Sequence, residues 1–189
     1  MNYIDEAEKI FNIQIENKTE KWISHSRKVA NAAKKIGEKV GMDGEKAYAY
    51  GLLHDIGRSV TDGQFQHIIK GYELMMTYGY EDIARICLTH SYVIQDIYSY
   101  VGKMDAEESV IENYQFILQD YQYNDYDLLI QLCDAISTDK EYIIPEQRFV
   151  NLVFKYGFND FTIQKWKKTL EIKESFDKSA GCDVLALLK

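Results

Sequence analysis

The stretch YGLLHDIGR, residues 50–58, places a histidine and an aspartate side by side where an apolar run ends at a glycine. The spacing before His54 is that of a helix, and Gly57 is expected to end it. Where helical winding gives way to a turn, neighbouring side chains can converge on one ion or on two. The carboxylate of Asp55 has two oxygens, which suits it to bridge metal ions roughly 3.5–4 Å apart.

Helical spacing of apolar residues continues on both sides of this stretch, and strand-like alternation is weak. The sequence therefore predicts an all-α, compact single-domain helical bundle over residues 1–189, with a motif-bearing core at about 20–140 and C-terminal helices at about 141–189. Asp43 is expected to cap a helix and Gly79 to follow the end of one. The predicted helices cover 18–40, 43–55, 65–78, 81–90, 106–121, 125–138, 146–157 and 160–178.

The segment 91–105, SYVIQDIYSYVGKMD, is the least regular part of the chain. Its tyrosines are expected either to line or cover a pocket, or to belong to a packed surface loop. Loops carry function often but not always, so both interpretations stay open from the sequence, and the packed loop is the commoner outcome.

The composition limits the classes of function. No apolar stretch reaches the roughly 20 residues of a membrane span, and the acidic N-terminus is unlike a secretory signal. We therefore expect a cytoplasmic protein without membrane contact, whose three cysteines are reduced core residues. The net charge of −8 disfavours nucleic-acid binding but is compatible with a small phosphorylated substrate beside a metal ion. Homodimer formation stays open.

The remaining histidines and one further acid occupy informative positions. His25 lies early in a predicted helix, His67 begins another, and His90 ends a third. Asp134 lies in the apolar run LLIQLCDAIS, where an unpaired carboxylate is costly to bury. A divalent ion bound by this acid and by neutral imidazole nitrogens would offset that cost. The alternative is a set of buried polar residues that hydrogen bond to one another.

This ordered set resembles the H…HD…D pattern of the HD-domain metal-dependent phosphohydrolases. The resemblance covers about residues 20–140 and implies a helical fold of that type. It also implies one metal ion held by four residues. The matching residues are His25, His54, Asp55 and Asp134.

Two further histidines extend the resemblance to the dinuclear branch of that family. HIIKGYELM begins with His67 and is similar to a histidine-then-glycine helix start, and LTHSY supplies His90. That branch includes bacterial symmetric diadenosine tetraphosphate hydrolases and HD-GYP phosphodiesterases, although no GYP follows the HDIGR motif here. The branch implies a second ion on these histidines, with Asp55 as the bridge. If both histidines are only helix-end residues, one ion binds.

The reaction that the resemblance implies is hydrolysis of a phosphate ester or anhydride of a nucleotide or dinucleotide by a metal-bound hydroxide. Iron is the first expectation for the metal, with manganese, zinc, cobalt or nickel as alternatives for mixed nitrogen and oxygen ligands. Asp55, His54 and Arg58 are the expected catalytic residues. Arg58 is also expected to hold a substrate phosphate by paired hydrogen bonds, and a surface ion pair is the alternative for this residue. Further substrate-binding candidates are Tyr92 and Lys70, followed by the weaker candidates Lys140 and Arg148.

Two other classes of function stay open. A nucleotide sensor would keep the metal site and bind phosphate without turnover. A helical interaction module would use the metal only as a structural element, with every coordination position filled by protein side chains.

Overall fold

A computed structural model of the chain describes residues 2–16 and 21–189. Within these residues the regular elements are helical, and the β-structure consists of one isolated antiparallel bridge between Ser137 and Tyr142. The all-α prediction is confirmed. The α-helices are α1 (Tyr3–Gln14), α2 (Lys21–Lys39), α3 (Gly44–Leu53), α4 (Gln66–Thr77), α5 (Glu81–Thr89), α6 (Glu108–Asp120), α7 (Asp125–Ile136), α8 (Pro145–Tyr156) and α9 (Thr162–Ala180). Short 3-10 turns cover Ile56–Ser59, Ile97–Ser99 and Val184–Leu188.

The helix boundaries differ from the predicted ones by a few residues. Asp43 caps α3 as expected, since its carboxylate accepts hydrogen bonds from the amides of Glu45 and Lys46. Gly79 has a φ of 79° just after α4, a conformation that favours glycine. The predicted helix start at residues 18–20 lies outside the described residues. Helix α1 was not predicted. None of the helices in the described part of the chain is both long and apolar enough to cross a bilayer.

Close packing of α2 against α3 sets the position of the first two histidines. A Cβ on Gly51 would lie only 2.7 Å from Cα of Ala30, so the two helices approach within backbone contact. His25 lies on α2 and His54 directly follows α3. Their ring centroids are 5.3 Å apart. A larger residue at position 51 would separate the two imidazoles.

The start of α4 is fixed by an acid from far along the chain. The carboxylate of Asp105 accepts hydrogen bonds from the backbone amides of Gln64 at 2.6 Å, Phe65 at 2.9 Å and Gln66 at 2.9 Å. Burial raises the pKa of Asp105, but these amide hydrogen bonds lower it by more than burial raises it, so the net shift is downward. The end of the segment 91–105 is thereby attached beside His67.

Helix α7 is central, since it contacts α2, α3, α5, α8 and α9. Asp127, in its first turn, is fully buried and forms an ion pair with Arg85. It also accepts a hydrogen bond from Thr89 Oγ1 at 2.8 Å and from the amide of Asn124 at 2.8 Å. This carboxylate therefore connects α5 to the start of α7.

Replacing Asp127 with alanine is expected to lower the free energy of unfolding by about 3–5 kcal/mol. The reason is that the charge of Arg85 and the hydroxyl of Thr89 are left without their buried acceptor. Urea denaturation followed by circular dichroism measures this change. Asp125→Ala, an exposed position in the same helical turn, is the control and should change the stability by less than about 0.5 kcal/mol. A loss below about 1 kcal/mol for Asp127→Ala would contradict the prediction.

Candidate metal centre

Six side chains from five helical regions converge in one cluster. Nε2 of His25 lies 3.0 Å from Oδ1 of Asp134, and Nε2 of His67 lies 3.0 Å from Oδ1 of Asp55. Nε2 of His90 lies 3.6 Å from the same oxygen of Asp55. The structure thus brings together the whole predicted ligand set, which comprises His25, His54, Asp55, His67, His90 and Asp134.

Three of the imidazoles are oriented in the same way. Nδ1 of His54 lies 2.7 Å from the carbonyl oxygen three residues earlier, and Nδ1 of His90 makes the equivalent contact at 2.8 Å. Nδ1 of His67 contacts the carbonyl of Gln64. A carbonyl only accepts hydrogen bonds, so each Nδ1 carries the proton and donates. Each Nε2 therefore keeps its lone pair for a ligand, which is the usual arrangement of a metal-binding histidine.

The donor atoms form two groups that share one residue. His25, His54 and Asp55 each offer an atom within 4.8 Å of the others, and so do Asp55, His67 and His90. In the described part of the chain, the buried atoms His54 Nε2 and Asp55 Oδ1 have no hydrogen-bond partner. Leaving such atoms buried without a partner is costly, and a divalent ion satisfies both. The residues present therefore fit a metal site with Asp55 as the shared ligand.

The protonation states also suit a cation. Burial lowers the pKa of His54, and burial lowers the pKa of His90 to about 3, so both rings are neutral at pH 7. Burial raises the pKa of Asp55, but the positive charge of the Arg58 guanidinium outweighs it and holds that pKa well below its usual value. For Asp134, burial is likewise outweighed by His25 and Arg148, so its pKa is low. Neutral imidazoles and ionised carboxylates are the forms that bind metals.

Arg58 lies beside the shared carboxylate. Its Nε donates to Oδ2 of Asp55 at 2.7 Å, and its terminal nitrogen lies 3.2 Å from Nε2 of His67. Arg58 belongs to the 3-10 turn Ile56–Ser59, and Asp55 immediately precedes that turn. The side chain also lines the adjoining cavity, so its guanidinium can contact a bound anion there.

A cavity of about 610 Å³ opens over the cluster. This volume lies within the roughly 300–1,000 Å³ of small-molecule sites. Phe149 and Trp166 stack with ring centroids 5.2 Å apart and planes 7° from parallel. Five aromatic side chains line the cavity, namely Trp22, Tyr100, Phe149, Tyr156 and Trp166. Helices α8 and α9 supply three of them, so the C-terminal part of the chain forms one wall.

Three of the predicted substrate-binding residues lie away from this cavity. Tyr92 is 0% exposed and packs in an apolar cluster with Phe65 and Leu88, so it does not contact a bound molecule. Lys70 is exposed and forms an ion pair with Glu73 at 2.8 Å. Lys140 is exposed and outside the lining residues. The orientation of Tyr92 follows from packing of the segment 91–105, which has no helical period to reveal it.

Two cationic residues of the C-terminal helices do line the cavity. Arg148, a weaker candidate from the sequence, has a terminal nitrogen 3.7 Å from Oδ1 of Asp134. Lys165 was not predicted at all, although it lines the cavity. It stands in the run KWKKTLEIK among other lysines, and only the inward face of α9 distinguishes it from them.

A family profile described as HD domain matches residues 22–139, which is more than half of the chain. This chain belongs to the HD domain family. HD domains are in general metal-dependent phosphohydrolases that bind divalent ions. The matched range contains all six ligands of the cluster, whereas α8 and α9 lie beyond it.

Several relatives of this HD domain are proteins named Ribonuclease Y. The one from Mycoplasma capricolum is 36% identical over 67 residues, covering 35% of this chain and 13% of the relative. The one from Thermotoga maritima is 39% identical over 70 residues, covering 36% and 14%. The one from Oleidesulfovibrio alaskensis is 30% identical over 113 residues, covering 53% and 22%. The chain thus matches less than a quarter of the length of each. No solved structure matches it significantly.

Proposed function

We propose that this HD domain hydrolyses a phosphate ester or anhydride of a nucleotide or dinucleotide, with two divalent ions bound at the cluster. The observation that carries the proposal is the position of Asp55, which belongs to both donor groups and lies at a cavity of small-molecule size. A structural metal site has no need of an adjoining cavity, and a closed coordination shell leaves no position for substrate. The shared carboxylate next to open space therefore favours an enzyme.

The side chains of the site have distinct tasks. When bound, the ions would lower the pKa of a coordinated water and neutralise charge on the phosphoryl oxygens. Asp55 belongs to both donor groups and would connect the two ions, and Asp134 contacts the ring of His25. Arg58 is placed to hold a phosphoryl oxygen while its Nε remains bound to Asp55. The stacked rings of Phe149 and Trp166 offer an apolar face to a nucleobase and exclude water.

Iron is the first proposal for the metal. The donor set combines four imidazole nitrogens with two carboxylates, and this mixture suits iron, manganese, cobalt, nickel or zinc better than magnesium. Elemental analysis of protein purified without added metal identifies the ions and their number per chain. Two ions per chain support the dinuclear site, whereas a single ion would restrict it to one donor group.

Metal removal tests the enzyme directly. Dialysis against a chelator is expected to abolish hydrolysis of nucleoside mono- and diphosphates, diadenosine tetraphosphate, cyclic dinucleotides or a phenyl phosphate, and returning the divalent ion should restore it. Released phosphate and separated products are the measurements. If the metal-loaded protein binds nucleotides but cleaves none of this panel, the nucleotide-sensor function replaces the enzyme.

Cleavage of RNA is a second candidate function, because the relatives carry the name Ribonuclease Y. The net charge of −8 opposes binding of a long phosphate backbone. We therefore expect a single-stranded RNA oligonucleotide to be cleaved more slowly than a nucleotide or dinucleotide at equal concentration. A steep fall of activity with added salt, together with a preference for the oligonucleotide, would reverse this assignment.

A further inference from the structure

Lys165 lies in the cavity with an incomplete set of partners. Its Nζ donates to the carbonyl of Ser99 at 2.8 Å and to that of Ser91 at 3.3 Å. An ammonium group has three donors, so two carbonyls do not satisfy it. Among residues 2–16 and 21–189, no carboxylate lies within 4.0 Å of this nitrogen. Burial lowers the pKa of Lys165 to about 8, with Asp134 as the one opposing charge.

The charge of the cavity lining differs in sign from that of the chain. Counted over the described residues, five cations and three carboxylates line it, although the chain as a whole has a net charge of −8. Two of the carboxylates, Asp55 and Asp134, belong to the metal cluster. The cations are Lys21, Arg58, Arg148, Lys155 and Lys165. The excess of positive charge in the lining favours binding of an anion, in addition to any anion that binds at the metal cluster.

The two halves of the cavity come from different parts of the chain. The metal cluster comes from α2, α3, α4, α5 and α7, within the HD domain match, whereas Lys165 and Arg148 come from α9 and α8, beyond it. Arg148 lies near Asp134, whereas no carboxylate of the described residues lies within 4.0 Å of the amine of Lys165. Lys155 of α8 also lines the cavity, but it is exposed and can be hydrated. Lys165 is therefore the less exposed cation of this wall that lacks an anionic partner.

We propose that Lys165 binds a second, non-scissile phosphate group of the substrate, so that the cavity selects nucleotides with two or more phosphates over monophosphates. This inference rests on the proposed function, which places the scissile phosphate at the metal cluster. A phosphate oxygen accepts a charge-assisted hydrogen bond from the remaining N–H of the ammonium group. The substrate class is then a nucleoside diphosphate or a longer phosphoanhydride.

A purely structural role for Lys165 makes a different prediction. Its two carbonyl contacts connect α9 to the segment 91–105, and a tie of this kind affects stability and all ligands alike. Lys165→Gln separates the two roles because the amide keeps hydrogen-bond donors but loses the charge. Lys165→Met, which keeps the apolar stem without donors, is the second variant. Lys167→Met, exposed on the same helix, is the matched control.

Isothermal titration of the metal-loaded protein with inorganic phosphate and with pyrophosphate tests the inference. Lys165→Gln is expected to weaken pyrophosphate binding about 10- to 100-fold, the effect of losing one charged hydrogen bond. Phosphate binding should change less than about threefold, and Lys167→Met should change neither. Equal weakening of both ligands, or no weakening, would overturn the proposal. Lys165→Met is expected to weaken pyrophosphate binding in the same way. Circular dichroism shows which variants fold.

The kinetic arm separates this inference from the proposed function. The ratio of kcat/KM for a nucleoside diphosphate to that for the monophosphate should fall about 10-fold or more in Lys165→Gln, mainly through KM. If the unaltered protein cleaves nothing while pyrophosphate binding still depends on Lys165, the enzyme proposal fails and the anion site stands. If it cleaves nucleotides with an unchanged ratio in the variant, the anion site fails alone.

Discussion

Replacing Asp55 with alanine is expected to remove both metal ions and to reduce hydrolysis on the order of 10⁴-fold, as loss of a central member of a catalytic set does. Asp55 is the residue that both donor groups share, and its Oδ1 lies 3.0 Å from His67 and 3.6 Å from His90. Without it, each group of three keeps only two imidazoles, and the one other acid of the cluster, Asp134, is already in contact with His25. Metal content per chain and kcat/KM are the two measurements.

Comparison with other variants shows whether the effect is specific. His90→Ala removes a donor from one group only, so about one ion per chain should remain. Asp62→Ala changes an exposed carboxylate seven residues from Asp55 and should leave metal content and activity as they are. Two ions retained in Asp55→Ala would refute the bridging role.

The ligand cluster could be anticipated because each ligand lies in a regular element or directly beside one. His54 and Asp55 stand at a helix end marked by a glycine. Asp134 lies in an apolar helix, where burying a carboxylate costs free energy unless a partner compensates its charge. Helical spacing then places such residues on the inward faces. The fold class and the convergence of the ligands therefore follow from local patterns combined with the resemblance to the HD family.

The wall of the cavity formed by α8, α9 and the segment 91–105 could not be anticipated, because it depends on contacts between distant parts of the chain. In the segment 91–105, Tyr92 is buried while Tyr100 lines the cavity, and no period distinguishes the two. The end of that segment is fixed by hydrogen bonds of Asp105 to backbone amides about 40 residues earlier. The position of Lys165 at the cavity likewise depends on its hydrogen bonds to the carbonyls of Ser91 and Ser99. Such pairings leave no signal in a single sequence.

Gly57→Ala is expected to destabilise the fold by at least about 3 kcal/mol, at the upper end of the cost of overpacking. A Cβ there would lie 1.9 Å from the carbonyl oxygen of His67 and 2.4 Å from the amide nitrogen of Gly71, and backbone atoms of α4 cannot rotate away. The turn that follows Asp55 must therefore move from α4, which lengthens the 3.0 Å approach of Asp55 to His67.

The same substitution is expected to weaken metal binding about 10- to 100-fold, the cost of disturbing the residues that orient metal ligands. Thermal unfolding with and without added metal measures both effects. Gly44→Ala is the matched control, because the three atoms nearest to its Cβ would belong to the exposed side chain of Glu38, whose surface ion pair with Lys34 can rearrange. It lies in the first turn of α3, where alanine is the better helix former, so its stability should stay within about 1 kcal/mol. Unchanged stability and metal affinity in Gly57→Ala would contradict this prediction. The close contact between the turn and α4 would then not be what positions the ligands.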